Sequence, residues 1–274
     1  MAARARAPVT VLSIASSDSG GGAGIQADLL TFAAHGVHGA TAIVAATAQN
    51  SRRVAAIEPM SPRFLARQID AVFSDFDVRA VKIGMLFDAA RIRAVAAGLR
   101  RWKARRVVLD PVLVSKSGAR LLSRSGLAAM KTRLLPLCDL VTPNLPEAQA
   151  LTGLRLRDEL DRRLAAGILA DLGARAVLIK DGHGRGREVR DLLFDGEAFT
   201  VYAAPRIRTR ATHGTGCTLS SAIAANLALG QPLATAVEHA IAYLRAGLEG
   251  GKFPGGGFGV PDHFPPRAAS RHRG

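Results

Sequence analysis

This sequence predicts an α/β fold: an open, mostly parallel sheet with helices on both faces. Three observations lead there. Short apolar runs rich in Val, Ile and Leu alternate with longer segments of helical periodicity or composition along most of the 274 residues. Such alternation means right-handed strand–helix–strand crossovers. Apolar residues make up 48% of the chain but aromatics only 5%, so the core is built from small aliphatic side chains, as buried parallel strands require. No internal repeat or composition shift marks a linker, so residues 9–264 form one domain between a basic extension (1–8) and a basic tail (265–274) expected to be disordered.

In order, the strands are expected at 9–15 (VTVLSIA), 40–47 (ATAIVAAT), 79–84 (RAVKIG), 105–110 (RRVVLD), 139–142 (DLVT) and 175–180 (RAVLIK). Helices are expected at 22–35, 61–73, 88–102, 122–135 and 158–172. Two further runs, 191–196 and 198–204, form a hairpin turning at Asp195-Gly196. Apolar helices at 216–229 and 233–248 close the domain, separated by Gly230 and Pro232 as a stop signal.

The composition narrows the function. No run of 18 apolar residues suggests a membrane span, and the N-terminus lacks the apolar stretch of a signal peptide. The two cysteines, Cys138 and Cys217, form no CxxC pair, which speaks against a disulfide scaffold or zinc site and for a reducing cytoplasm. The net charge of +15 comes from scattered, mostly Arg side chains with little aromatic interleaving. It reads as a solvated surface rather than a specific nucleic-acid site.

In open α/β sheets, ligands bind beyond the carboxyl ends of the strands. There this chain gathers Asp18, Gln49, Asp110, Asn144, Glu147 and Lys180, which ordinary turns would not collect. The glycine-rich stretch DSGGGAG (18–24) opens a helix carrying Asp28, but its spacing matches neither a dinucleotide fingerprint nor a P-loop. By itself it could be a flexible turn, and Asp28 a structural residue.

The string THGTGC (212–217) is more specific. Gly214, Thr215 and Gly216 would present backbone N–H groups at a helix N-terminus, forming a cradle for phosphate charge. A purely structural cap with glycines is the alternative. Cys217 at that helix start is expected to have a lowered pKa and to accept a proton from a substrate hydroxyl. In TPNLPEA (142–148), Asn144 and Glu147 stand three residues apart at a helix start, and with Asp110 they make an acidic set suited to Mg²⁺. Without the other motifs this segment would read as structural.

The strings SDSGGGAGIQADL (17–29), AQN (48–50), KIGML (82–86), LDPVLVSKSG (109–118), LVTPNLPEA (140–148), LIKDGHG (178–184) and THGTGCTLSSAIAANLA (212–228) occur in this order. Together they resemble the ribokinase-like superfamily, and within it the hydroxymethylpyrimidine/phosphomethylpyrimidine kinases of thiamine biosynthesis. The resemblance implies a three-layer αβα sandwich without a large lid, ATP and Mg²⁺ as cofactors, a small pyrimidine as substrate, and a homodimer. It implies that Asp28 and Gln49 bond the aminopyrimidine edge, while Met85, Val112 and Ser16 lie against the ring. Asn144 and Glu147 would organise Mg²⁺, Asp110 and Lys180 would face the phosphates, and Cys217 would take the position of a base.

Four positions depart from the family pattern. Ser16 and Asp181 replace glycines, while Leu30 and Ile241 replace lysines, the second of them near the nucleotide. Pyridoxal kinase is the nearest rival activity. A non-catalytic protein binding a ligand or nucleic acid through the kinase fold is the rival of a different class.

Overall fold

The computed structural model describes residues 8–265 apart from 116, 117, 183 and 185. All but one residue each of the expected N-terminal extension and C-terminal tail therefore lie outside the described residues.

Nine strands form one sheet in the order β3-β2-β1-β4-β5-β6-β7-β8-β9. These are β1 (Thr10–Asp18), β2 (His38–Gln49), β3 (Val54–Pro59), β4 (Val78–Ile83), β5 (Val107–Leu109), β6 (Leu140–Val141), β7 (Val177–Ile179), β8 (Glu188–Phe194) and β9 (Phe199–Pro205). From β2 to β7 neighbouring strands run parallel, while β3 and β8 pair antiparallel at the two ends. The order reverses between β1 and β4, which puts the switch-point crevice beyond their carboxyl ends.

The strand period of two sorts the core into two layers. Leu12, Ile14, Val81, Ile83 and Leu109 face α2 (Pro62–Asp75), α3 (Ala89–Arg101), α4 (Arg124–Ala129), α5 (Leu145–Thr152) and α6 (Glu159–Asp171). Val11, Ala80, Val108 and Leu178 face α1 (Gly24–Ala34), α7 (Thr215–Ala228) and α8 (Leu233–Glu249). The three-layer sandwich is thus the observed architecture. Ser13 and Lys82 alternate onto the α1/α7 side, where both meet Asp28.

The hairpin turns where expected. Asp195 Oδ1 accepts the amides of Glu197 and Ala198, and Gly196 has φ +106°. Two features differ from the sequence expectation. Strand β3 was missed because it is a short edge strand, half-exposed and ending in Pro59, so it carries little hydrophobic pattern. The helix expected over 122–135 is α4, followed by a π-helical turn (Met130–Leu134) and a tight turn over Leu135–Leu137 that contains Pro136. Within the expected domain limits, the glycine-rich segment after α8 is pinned. Lys252 pairs with Val260, Phe258 N donates to Ser51 O, and His213 N donates to Gly259 O.

Candidate active site

Asp18, at the end of β1, organises the glycine-rich loop. Its Oδ1 accepts Gly20 N at 2.8 Å, and its Oδ2 accepts Gly22 N at 3.2 Å and Ala23 N at 3.0 Å. His213 Nε2 lies 2.9 Å from the same Oδ2. Burial alone would raise the Asp18 pKa; His213 and the loop amides outweigh it and hold the carboxyl below its ordinary value. The N–H groups of Gly20, Gly22 and Ala23 are therefore committed to Asp18.

The anion cradle expected at α7 has the required backbone. Gly214 caps the helix with φ +77°, and a Cβ there would collide with Gly22 O. A Cβ on Gly216 would sit 2.9 Å from Asp110 Oδ2 and 3.3 Å from Lys180 Nζ. Only glycine lets the first turn of α7, with its unsatisfied N–H groups, approach that ion pair. Lys180 Nζ donates to Asp110 Oδ1 at 2.6 Å.

Asn144 and Glu147 form a capping box at the start of α5. Asn144 Oδ1 accepts Glu147 N at 3.0 Å, and Glu147 Oε2 accepts Asn144 N at 2.8 Å. The Asn144 side-chain oxygen thus holds the helix start, with one of its two lone pairs taken by the cap. Burial pushes the Glu147 carboxyl up to about 7, with Lys180 pulling it down and Asp110 pushing it further up. Two neighbouring buried carboxylates of this kind suit a divalent cation. Among the described residues no three His, Cys, Asp or Glu side chains converge on a metal position. The protein's share would then be the Glu147 and Asp110 carboxylates, as fits a Mg²⁺ that keeps water and phosphate oxygens as its other ligands.

Two sequence expectations are overturned here. Asp28 does not line the cavity. It is fully buried, and its carboxylate accepts bonds from Lys82, Ser13 and Ser221 at 2.6–2.8 Å. The Cys217 thiol is not acidified either. Burial pushes it up to about 11; Lys82 pulls it down, and the Asp28 and Asp110 carboxylates push it up. Partial burial of the thiolate and two anions set beside it oppose the effect of the helix terminus.

Two cavities meet over α7. One of about 410 Å³ is walled by Ser16, Gln49, Met85, Val112 and Cys217. The other, about 240 Å³, is walled by apolar groups including Leu219, Ile241, Leu244 and Leu248. Asn144, Lys180, Thr212, Thr215 and Gly216 line both. Two of the four departures lie on these walls, Ser16 on the first and Ile241 on the second. Leu30 is exposed on α1, and the Asp181 carboxylate accepts Arg190 N and pairs with Arg162. Sequence reading gave no role to Lys82 or His213. A lone lysine inside the apolar strand AVKI was the available signal for the first.

The phosphomethylpyrimidine kinase family model matches residues 18–262. The chain belongs to that family. It is 54% identical over 238 residues to the hydroxymethylpyrimidine/phosphomethylpyrimidine kinase of Rhizobium meliloti, covering 86% of this chain and 89% of that protein. It is 50% identical over 255 residues to the thiamine biosynthesis bifunctional protein ThiED of Geobacter sulfurreducens, covering 93% of this chain but only 52% of that longer protein. Among solved structures, an ADP complex of Bacillus subtilis pyridoxal kinase superposes with a TM-score of 0.88 at 33% identity, covering 94% of this chain and 98% of the other.

Proposed function

We propose that this kinase transfers a phosphoryl group from ATP to the hydroxymethyl group of 4-amino-5-hydroxymethyl-2-methylpyrimidine and then to the resulting monophosphate. The observation that carries this reading is the meeting of the two cavities at Lys180, Thr215 and Gly216, with Cys217 on one side only. The nucleotide would occupy the apolar cavity beside Ile241, and the pyrimidine the larger one. The phosphoryl group would cross at the start of α7, where backbone N–H groups stabilise the charge that develops in transfer.

Gln49, Met85 and Val112 hold the ring in this scheme. Lys180, fixed by Asp110, faces the phosphates. Glu147, with Asp110 beside it, would hold Mg²⁺, which neutralises phosphate charge when bound. Cys217 accepts a hydrogen bond from the substrate hydroxyl and orients its oxygen for in-line attack. As a thiol with a raised pKa it is protonated at neutral pH, so it takes the hydroxyl proton only in its ionised fraction. Little proton transfer is needed before a loose phosphoryl-transfer transition state.

A coupled assay with Mg-ATP against the hydroxymethylpyrimidine, its monophosphate and pyridoxal tests the proposal. Turnover of both pyrimidines supports it, whereas turnover of pyridoxal alone replaces it with the rival activity that the structural likeness also favours. A homodimer is the assembly we infer from the family resemblance, and light scattering on the purified chain checks it. A cytoplasmic setting fits the free thiols of Cys138 and Cys217, and none of the helices among the described residues is long and apolar enough to cross a membrane.

A further inference from the structure

Between β7 and β8 the chain reads DGHGRGR (181–187), with glycine at every second position. Glycine loses the most backbone freedom on ordering, so such a segment needs support from outside to hold one conformation. Arg206, the residue after β9, supplies it. Its Nε donates to Gly186 O at 3.1 Å, and one terminal nitrogen donates to Gly182 O at 3.0 Å. The other terminal nitrogen donates to Glu188 O at 3.1 Å and to Asp181 O at 3.3 Å. The Arg206 amide continues the β8–β9 pairing by donating to Arg187 O at 2.7 Å. One residue thus grips the segment at both of its ends.

Arg206 and Gly182 also line the smaller cavity, together with Lys180. Lys180, which faces the phosphates in the kinase reading, immediately precedes the gripped segment. The planar fork of the guanidinium is turned onto the carbonyls, a geometry that a lysine ammonium does not reproduce. Its charge is answered within the protein, because the Asp181 carboxylate lies 3.9 Å away. Asp181 stands where the family resemblance expects glycine, so this chain adds a counter-charge to the clamp. Arg162 on α6 pairs with the same carboxylate at 3.7 Å. These partners commit Arg206 to the fold rather than to a phosphate.

We propose that Arg206 is a positioning residue for the nucleotide. It fixes the carbonyls of Asp181, Gly182, Gly186 and Glu188, so that Gly182 and Lys180 present a preformed wall to a nucleoside triphosphate. The inference rests on the kinase reading above and deepens it. Without Arg206, nucleotide binding has to order this segment, and the loss falls on the KM for Mg-ATP. The KM for the hydroxymethyl substrate is spared, because the larger cavity is walled without Arg206.

The test uses Arg206→Ala and Arg206→Lys with two measurements. The first is steady-state kinetics with Mg-ATP and the hydroxymethylpyrimidine or pyridoxal, whichever the unsubstituted enzyme phosphorylates. The second is the rate of trypsin cleavage after Arg187 in the ligand-free protein, read by mass spectrometry. Arg206→Ala should raise the KM for Mg-ATP about tenfold, the weight of ordering roughly one residue, and leave the other KM near normal. Cleavage after Arg187 should become faster in the same variant. Arg206→Lys should behave like Arg206→Ala, and added methylguanidinium should bring the KM of Arg206→Ala back down. An unchanged KM for Mg-ATP, or unchanged cleavage, overturns the inference while the kinase reading stands. Recovery of that KM by Arg206→Lys also overturns it, since a charge facing the phosphates would then be at work. So does an equal rise in both KM values, the mark of general damage to the fold. If the unsubstituted enzyme phosphorylates neither compound, the kinase reading falls and this inference with it.

Discussion

Asp28 on α1 and Lys82 on β4 form an ion pair with no exposure on either side chain, the ammonium lying 2.7 and 2.8 Å from the two carboxylate oxygens. Ser13 on β1 and Ser221 on α7 donate to the same carboxylate. One anion thus ties four elements together. Ser221 is one turn beyond Cys217 on α7, so the network also fixes the helix that carries the anion cradle.

Breaking this pair from one side leaves an uncompensated buried charge. Lys82→Met or Asp28→Asn should each cost about 3–5 kcal/mol of stability, read by urea unfolding. Lys82→Met combined with Asp28→Leu should recover a good part of that loss. Additive losses in the double variant would show that the two charges do not compensate one another.

The thiol chemistry follows from the neighbours of Cys217. With its pKa at about 11, alkylation by iodoacetamide should be slow at pH 8 and should accelerate steadily toward pH 11. Lys82 favours the thiolate and Asp28 opposes it. Asp28→Asn should therefore move the profile to lower pH, and Lys82→Met to higher pH. Cys138, buried and raised beyond this range, should stay unlabelled in the folded chain. A labelling midpoint below pH 8 would restore the acidic thiol that sequence reading expected.

Gly216→Ala tests the cradle without removing a donor. Its Cβ would push against Asp110 Oδ2 and Lys180 Nζ, displacing the first turn of α7. Turnover should fall by about two orders of magnitude, the scale of losing one such stabilising group, while the unfolding temperature stays within a few degrees. Near-normal turnover would remove this turn from the chemistry.

Asn144 can be separated into cap and ligand by choice of substitution. Asn144→Ala should cost about 1 kcal/mol through the lost cap. Asn144→Ser keeps a capping hydroxyl and should keep both stability and the KM for Mg²⁺ near normal. A large rise in that KM for the serine variant would assign Asn144 to the metal as well as to the cap.

The sequence by itself determined the layer order, the strand-end gathering of polar residues and the family. These follow from local periodicity and from motifs that are contiguous in the chain, as VTVLSIA and HGTGC are. It also placed Asn144 and Glu147 at a helix start, because a capping box is a local device. Edge strand β3 was lost because an exposed, two-sided strand leaves no hydrophobic alternation to read.

Only the tertiary structure decided the surroundings of Asp28, Cys217 and Ser16. Asp28 is 54 residues from Lys82 and 193 from Ser221, so no local pattern could show that its carboxylate was already occupied. The helix terminus beside Cys217 is visible in sequence, but the partial burial and the two carboxylates that oppose it come from distant segments. Ser16 shows as a departure in sequence, yet whether a buried hydroxyl has a partner depends on every chain segment packed around it. Charge and hydrogen-bond energies depend on burial and on neighbours across the fold, and burial is a property of the assembled layers.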